Sequence, residues 1–127
     1  MKVTFQIYTA KKWQAENFTG IEGCALTGIA VKSNIGTIKY RVHQKGSRWM
    51  GWITNYKITD LVKGMAGIPG IAIDGIQMEL TGAPEYQVKY RVSTIGGKWL
   101  PWVNGLEDYA GLFGKTIDRV EIEIVKK

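Results

Sequence analysis

The feature that most constrains this sequence is that one pattern is written three times. Val3-Thr4-Phe5-Gln6-Ile7, Ile38-Lys39-Tyr40-Arg41-Val42 and Val88-Lys89-Tyr90-Arg91-Val92 hold apolar or aromatic residues at the same places. A basic residue and an indole follow each time, as Lys12-Trp13, Arg48-Trp49 and Lys98-Trp99. Next come the glycine pairs Gly20-x-x-Gly23, Gly67-x-x-Gly70 and Gly111-x-x-Gly114, each leading three residues later to Leu26, Ile73 or Ile117. The closing phrases Ile29-x-Val31, Ile76-x-Met78 and Val120-x-Ile122 also coincide. Such self-similarity at a period of roughly 35 to 50 residues marks an internal repeat, with copies at 3–33, 38–80 and 88–124.

Within each copy the apolar residues alternate with polar ones, which is the period of a strand with one buried face. Ile29 and Val31 are expected to point inward, and 49–54 is expected to form the return strand of a hairpin begun at Ile38. No stretch carries a sustained helical period, and 58–65 is broken by Gly64. The expectation is a single all-β domain of about nine strands in three sets. Sets with one wet face each call for a closed pseudo-threefold body with the dry faces turned to the axis. A β-prism and a β-trefoil both answer to that description. Three strands per copy favour the prism, since a trefoil needs four.

Composition bounds the function. One cysteine, Cys24, excludes an intrachain disulfide and a Cys-based metal site, and its apolar neighbours suggest a buried small residue. No apolar run approaches the length of a membrane span, and the chain enters a strand pattern at once. Seventeen Lys and Arg against eleven Asp and Glu give a net charge of +6. Charge of this sign suits polyanionic partners, but Lys39, Arg41, Lys89 and Arg91 alternate along strands and read as the solvated face of a sheet. Cations spread over three copies do not make the single aromatic-lined groove of a nucleic-acid binder.

Catalytic constellations are missing from the sequence. The one histidine, His43, stands where the other copies have Tyr8 and Ser93, and reads as a polar strand-end residue. No nucleophile elbow, zinc-binding helix or phosphate loop occurs. Asp74 and Asp118 read as caps on the turn that follows each glycine pair. Trp13, Trp49 and Trp99 recur in every copy and are expected in a shared core. Trp52 and Trp102 face Glu16 in the first copy, so their place tolerates a charge and is expected near the surface. Beside the long loop 55–70, or its counterpart in the third copy, such an indole is a candidate platform for a sugar ring.

The phrases IKYRVHQKGSRWMGWITNYKITDLVKGMAGIPGIAIDGIQM and VKYRVSTIGGKWLPWVNGLEDYAGLFGKTIDRVEIEI resemble the clostridial hydrophobic tryptophan repeats, or ChW repeats. They are also similar to the C-terminal wall-binding modules of phage endolysins and bacterial peptidoglycan hydrolases. The resemblance covers more than half the chain; the first copy departs from it, lacking the second Trp. It implies a non-catalytic module that binds a Gram-positive wall polymer, a teichoic acid or peptidoglycan glycan. It also implies a catalytic lysin domain on the N-terminal side in the parent protein, and a place at the cell envelope reached through that protein or by phage-type release. The alternative is a protein-interaction module of adhesin type. No cofactor, metal, nucleic acid or membrane is expected. The site residues so expected are Trp52, Tyr56, Asp60 and Arg48 in the second copy and Trp102, Tyr109, Asp108 and Lys98 in the third.

Overall fold

A computed structural model describes residues 2–127. Ten strands form three antiparallel sheets, and no α-helix occurs among the described residues. The strands are β1 (Val3–Thr9), β2 (Lys12–Trp13), β3 (Gly28–Ser33), β4 (Thr37–Gln44), β5 (Ala66–Gly67), β6 (Ile73–Thr81), β7 (Tyr86–Thr94), β8 (Val103–Asn104), β9 (Ala110–Gly111) and β10 (Ile117–Lys126). The sheet orders are β2-β1-β3-β5, β4-β6-β9 and β10-β7-β8, and none closes on itself.

The long strands that the alternation predicts pair as β1–β3, β4–β6 and β7–β10, so the strand begun at Ile38 takes the closing strand of its segment, not 49–54, as its long partner. Their inward residues make one core that includes Phe5, Ile29, Val31, Tyr40, Ile76, Met78, Tyr90 and Val120. Leu26, Ile73 and Ile117 are fully buried and joined through the main chain: the Leu26 N–H donates to the Ile117 carbonyl and the Ile73 N–H to that of Leu26. Removing side chains of this size from water stabilises by about 1.5 to 3 kcal/mol each.

The glycine pairs have a sharper role than turning the chain. Gly67 pairs with Gly28 of β3, Gly111 with Gly75 of β6, and Gly20 with Arg119 of β10, so each loop is added to the sheet of another sequence segment. At the first glycine of each pair the backbones touch. A Cβ on Gly20 would lie 2.2 Å from the Asp118 carbonyl, and one on Gly111 2.3 Å from that of Asp74. The second glycine serves a turn: the Cys24, Ile71 and Lys115 N–H groups bond to the carbonyls three residues back, with Gly23, Gly70 and Gly114 at positive φ. That is the position where a type II turn demands glycine.

Three expectations are corrected. Trp49 begins no return strand; it and Ile53 make only isolated bridges, to His43 and Tyr40. Trp13, Trp49 and Trp99 lie half-buried outside the core, whose large aromatic members are Phe5, Tyr40 and Tyr90. The reason is parity, because Trp49 and Trp99 pack on Arg41 and Arg91, and Trp13 edge-on against Tyr8, residues that lie between the core positions of β4, β7 and β1. Asp74 and Asp118 do not cap the turn they follow. Each sits at a register shift, Asp74 in β6 and Asp118 in β10. A bulge there turns each carboxylate onto a different segment's glycine: Asp74 Oδ2 accepts from the Gly114 N–H at 2.8 Å and Asp118 Oδ2 from the Gly23 N–H at 2.9 Å.

Candidate functional site

On the outer face of the second segment, cations and indoles form a ladder. The Lys39 ammonium lies 4.7 Å from the Trp52 ring centre, and the Arg41 guanidinium 4.5 Å from Trp52 and 4.6 Å from Trp49. The third segment repeats it with Lys89 4.6 Å from Trp102, and Arg91 4.7 Å from Trp102 and 4.8 Å from Trp99. Residues two apart on one strand face are about 7 Å apart, so an indole set between them meets a cation on each side. Gln77 and Glu79 on β6, and Glu121 and Glu123 on β10, hold the cations from the next strand. Exposed contacts of this kind contribute about 0.5 to 1 kcal/mol each.

Beside each ladder is a cleft. The first, of about 580 Å³, is lined by Met50, Trp52, Ile53, Asn55, Lys63, Met65 and Ile68 among others. The second, of about 460 Å³, is lined by Leu100, Trp102, Val103, Glu107, Asp108, Tyr109 and Leu112 among others. Met50, Trp52, Ile53, Ala66 and Gly67 correspond one to one with Leu100, Trp102, Val103, Ala110 and Gly111, so the two clefts are built at the same place in two segments.

Buried tyrosines hold the loops that wall these clefts. The Tyr40 hydroxyl donates to the Asn55 carbonyl at 2.6 Å, near the start of its loop, and lies 3.3 Å from the Gly64 carbonyl near its end. The Tyr90 hydroxyl donates to Gly105 at 2.6 Å, lies 3.4 Å from the Asp108 carbonyl, and accepts from the Met78 N–H. Burial raises both phenols, Tyr90 to about 12, because the phenolate would lose its water. The first segment has Phe5 in their place and no such loop. Six residues separate Trp13 from Gly20, against seventeen between Trp49 and Gly67 and eleven between Trp99 and Gly111. There Asn17 bonds Phe5 instead, its side chain accepting from the Phe5 N–H and its N–H donating to the Phe5 carbonyl.

The expected site residues divide. Trp52, Trp102, Tyr109 and Asp108 line the clefts. Tyr56 leaves its cleft and donates to Gln6 at 2.6 Å, under Lys32; burial, then the charge of Glu16, raises its phenol. Asp60 accepts from the Val62 and Lys63 N–H groups, which hold its carboxyl below the usual range, Lys63 most strongly. It therefore shapes the loop rather than facing the cleft. Arg48 and Lys98 lie in the hairpin turns that follow β4 and β7 and line neither cleft.

Two groups escaped the sequence reading. His43 is buried and its Nδ1 lies 2.6 Å from Asp74 Oδ1, within an aromatic cluster where Phe113 stacks between His43 at 4.2 Å and Tyr109 at 4.6 Å, with Trp49 edge-on. The basic ladder was missed as well. A signal for it existed, since Lys-x-Arg precedes Trp-x-x-Trp in the two segments that have both and neither occurs in the first. No group able to hold a metal ion is found among the described residues. No protein family, curated protein or solved structure matches this chain.

Proposed function

We propose that the chain is a non-catalytic binding module for a Gram-positive wall polymer, with the clefts beside Trp52 and Trp102 as its ligand sites. The polymer is a teichoic acid or the peptidoglycan glycan, and the module holds a lytic enzyme of the parent protein at the envelope. The observation that carries this reading is the pairing of the clefts: two matched sites on one chain suit a repetitive ligand, which gains avidity by filling both. Each cleft joins apolar lining residues, such as Ile53, Met65, Val103 and Ala110, to amides and charges at Asn55, Lys63, Asn104 and Glu107. That mixture fits a sugar, with C–H faces on the apolar residues and hydroxyls on the polar ones. Because cations flank the indoles, a sugar meets the ring edge unless it displaces Lys39 or Lys89.

We also propose that the three segments are repeats closed about a pseudo-threefold axis in a β-prism-like body. Supporting this are the loop additions, which run from the second segment to the first, the third to the second and the first to the third. Three separate sheets favour a prism over a trefoil.

A second reading, a protein-interaction module, is favoured by Leu61, Val62 and Ile68, which stand exposed at the rim of the first cleft. Purified Gram-positive sacculi separate the two. Wild-type protein should sediment with them and Trp52→Ala with Trp102→Ala should not, while circular dichroism stays native. Full binding by the folded double variant would remove the clefts from the function. A wild-type chain that ignores sacculi would leave the protein-interaction reading.

A further inference from the structure

Charge is not spread evenly over the molecule. Six turns meet at one end, where the buried main-chain links among Leu26, Ile73 and Ile117 lie. Three are the hairpin turns 9–12, 44–48 and 94–98, and three are the glycine-pair turns 21–25, 68–72 and 112–116. Main-chain bonds from Lys45 to Ala72 and from Ile95 to Thr116, the bonds of Thr9 to Cys24 and Ala25, and the His43–Phe113 stack tie them together. These turns carry Lys11, Lys12, Lys45, Arg48, Lys98 and Lys115, all exposed, and one acid, Glu22, which pairs with Arg119. With the buried Asp74 and Asp118, which bond to Gly114 and Gly23, and with Arg119, this end holds seven bases against three acids, four of the chain's six net positive charges.

The ion pairing elsewhere sharpens the contrast. Of the eleven bases other than the six turn cations, Lys39, Lys89, Arg91 and Arg119 have a carboxylate within 3.5 Å, whereas no carboxylate lies within ion-pair distance of those six among the described residues. A surface with this density of unpaired cations attracts polyanions and holds them through counterion release. A nucleic acid would also want an open ring to stack on. The single aromatic residue of the six turns, Phe113, is already stacked with His43 and Tyr109.

We propose that this turn end is a second binding face, separate from the tryptophan clefts, that takes the phosphodiester backbone of an anionic wall polymer. The proposal rests on the wall-binding reading for its partner and names the polymer class: a poly(polyol phosphate) rather than an uncharged glycan. The six cations lie on four of these short turns, among open clefts such as the one lined by Lys11, Cys24, Pro69 and Gly70, which suits a flexible phosphate chain lying across the end. Neither Arg48 nor Lys98 is needed by the core or by the clefts, so both are free for this contact.

The test uses the full chain and soluble poly(glycerol phosphate). Lys45→Gln, Arg48→Gln and Lys98→Gln together should weaken binding by about a hundredfold at low salt, at several-fold per cation near an anionic surface. The triple change should also lower the slope of log affinity against log salt by about 2, at roughly 0.7 per phosphate contact of a single-stranded polyanion. The opposite-end control, Lys2→Gln with Lys126→Gln and Lys127→Gln, should change neither. Equal losses in the two triples would overturn the face in favour of diffuse net charge. Unchanged binding by the turn-end triple, or tighter wild-type binding to single-stranded DNA than to poly(glycerol phosphate), would also overturn it. If wild type binds poly(glycerol phosphate) through these turns but ignores sacculi, the face stands and the wall-targeting reading fails.

Discussion

The first segment and the later two share a backbone plan and differ in what is hung on it. All three use the glycine pair to lay a loop on another segment's sheet, and all three bury an aromatic residue at the middle of the first strand. In the first that residue is Phe5, the loop is short and Asn17 closes the strand edge. In the others it is Tyr40 or Tyr90, whose hydroxyl ties down a long loop that walls a cleft. The difference teaches that one oxygen atom in the core goes with the presence of a cleft at the surface. What the segments share should govern whether the chain folds, and what they do not share should govern what it binds.

The largest expected effect breaks the shared part. Gly111→Ala would set a Cβ against the Asp74 carbonyl at φ +128 and should cost about 2 to 6 kcal/mol, combining left-handed strain with overpacking. Gly114→Ala, at φ +90 with open space around it, carries the conformational penalty alone, about 1 to 2 kcal/mol. Denaturant titrations of the two variants check the order. Equal costs would mean that the close approach is not what requires the first glycine.

Next in size is the hydroxyl that distinguishes the segments. Tyr90→Phe restores the residue type of the first segment but strands the Met78 N–H and the Gly105 carbonyl, at about 2 to 4 kcal/mol. The same phenol sets a pH dependence. Its pKa is about 10 unfolded and about 12 folded, so above pH 10 the unfolded chain releases a proton that the native one keeps. Stability from this group is complete below about pH 10 and falls as pH rises to about 12, by about 3 kcal/mol. Tyr90→Phe should make that alkaline limb shallower, leaving the share that Tyr40 contributes, and an unaltered limb would place the titration elsewhere.

Much of the shared plan is legible in the sequence. The alternations of Val3, Phe5 and Ile7 and of their counterparts specify the long strands, because a period of two with one buried face has few other solutions. The destination of each glycine loop is not legible, since Gly111-x-x-Gly114 satisfies a local turn equally well whichever sheet it joins. Nor does a tryptophan announce its partner. Trp49 and Trp99 are large and recurrent, which fits a core, yet the residues able to receive them are the outward Arg41 and Arg91. The two-residue strands β5, β8 and β9 have no periodicity to read and exist only through their neighbours.

The ladders can be probed by lending the first segment's composition to the third. Trp102→Ala removes two cation contacts and a half-buried indole, and about 1 to 2 kcal/mol of stability should go with it. Binding at its cleft should weaken about tenfold or more, matching a stacking-scale contact of 1 to 3 kcal/mol. Trp13→Ala, in the segment without a ladder, should leave ligand binding unchanged in a fluorescence or calorimetric titration with wall polymer. A binding loss there as large as that of Trp102→Ala would make the first segment a participant and dissolve the distinction drawn above.

The smallest expected effect compares two junctions that share one clasp. Where the third segment meets the second, Phe113 stacks on His43 and Tyr109 over the buried Asp74. Where the first meets the third, Glu22 takes the corresponding turn position and reaches Arg119 at 3.5 Å, beside Asp118 and Ser93. Stacked rings keep their attraction in salt, whereas an ion pair whose glutamate side chain is 79% exposed is screened within a Debye length of about 10 Å at 0.1 M. Phe113→Ala should therefore cost about 0.5 to 1.5 kcal/mol at any ionic strength. Glu22→Ala should cost between zero and about 1 kcal/mol in dilute buffer and nothing measurable at 1 M salt. Melting curves of both variants at the two ionic strengths decide the matter. A Phe113→Ala cost that faded with salt would show that the aromatic junction depends on the charge of the His43–Asp74 pair beneath it rather than on the rings.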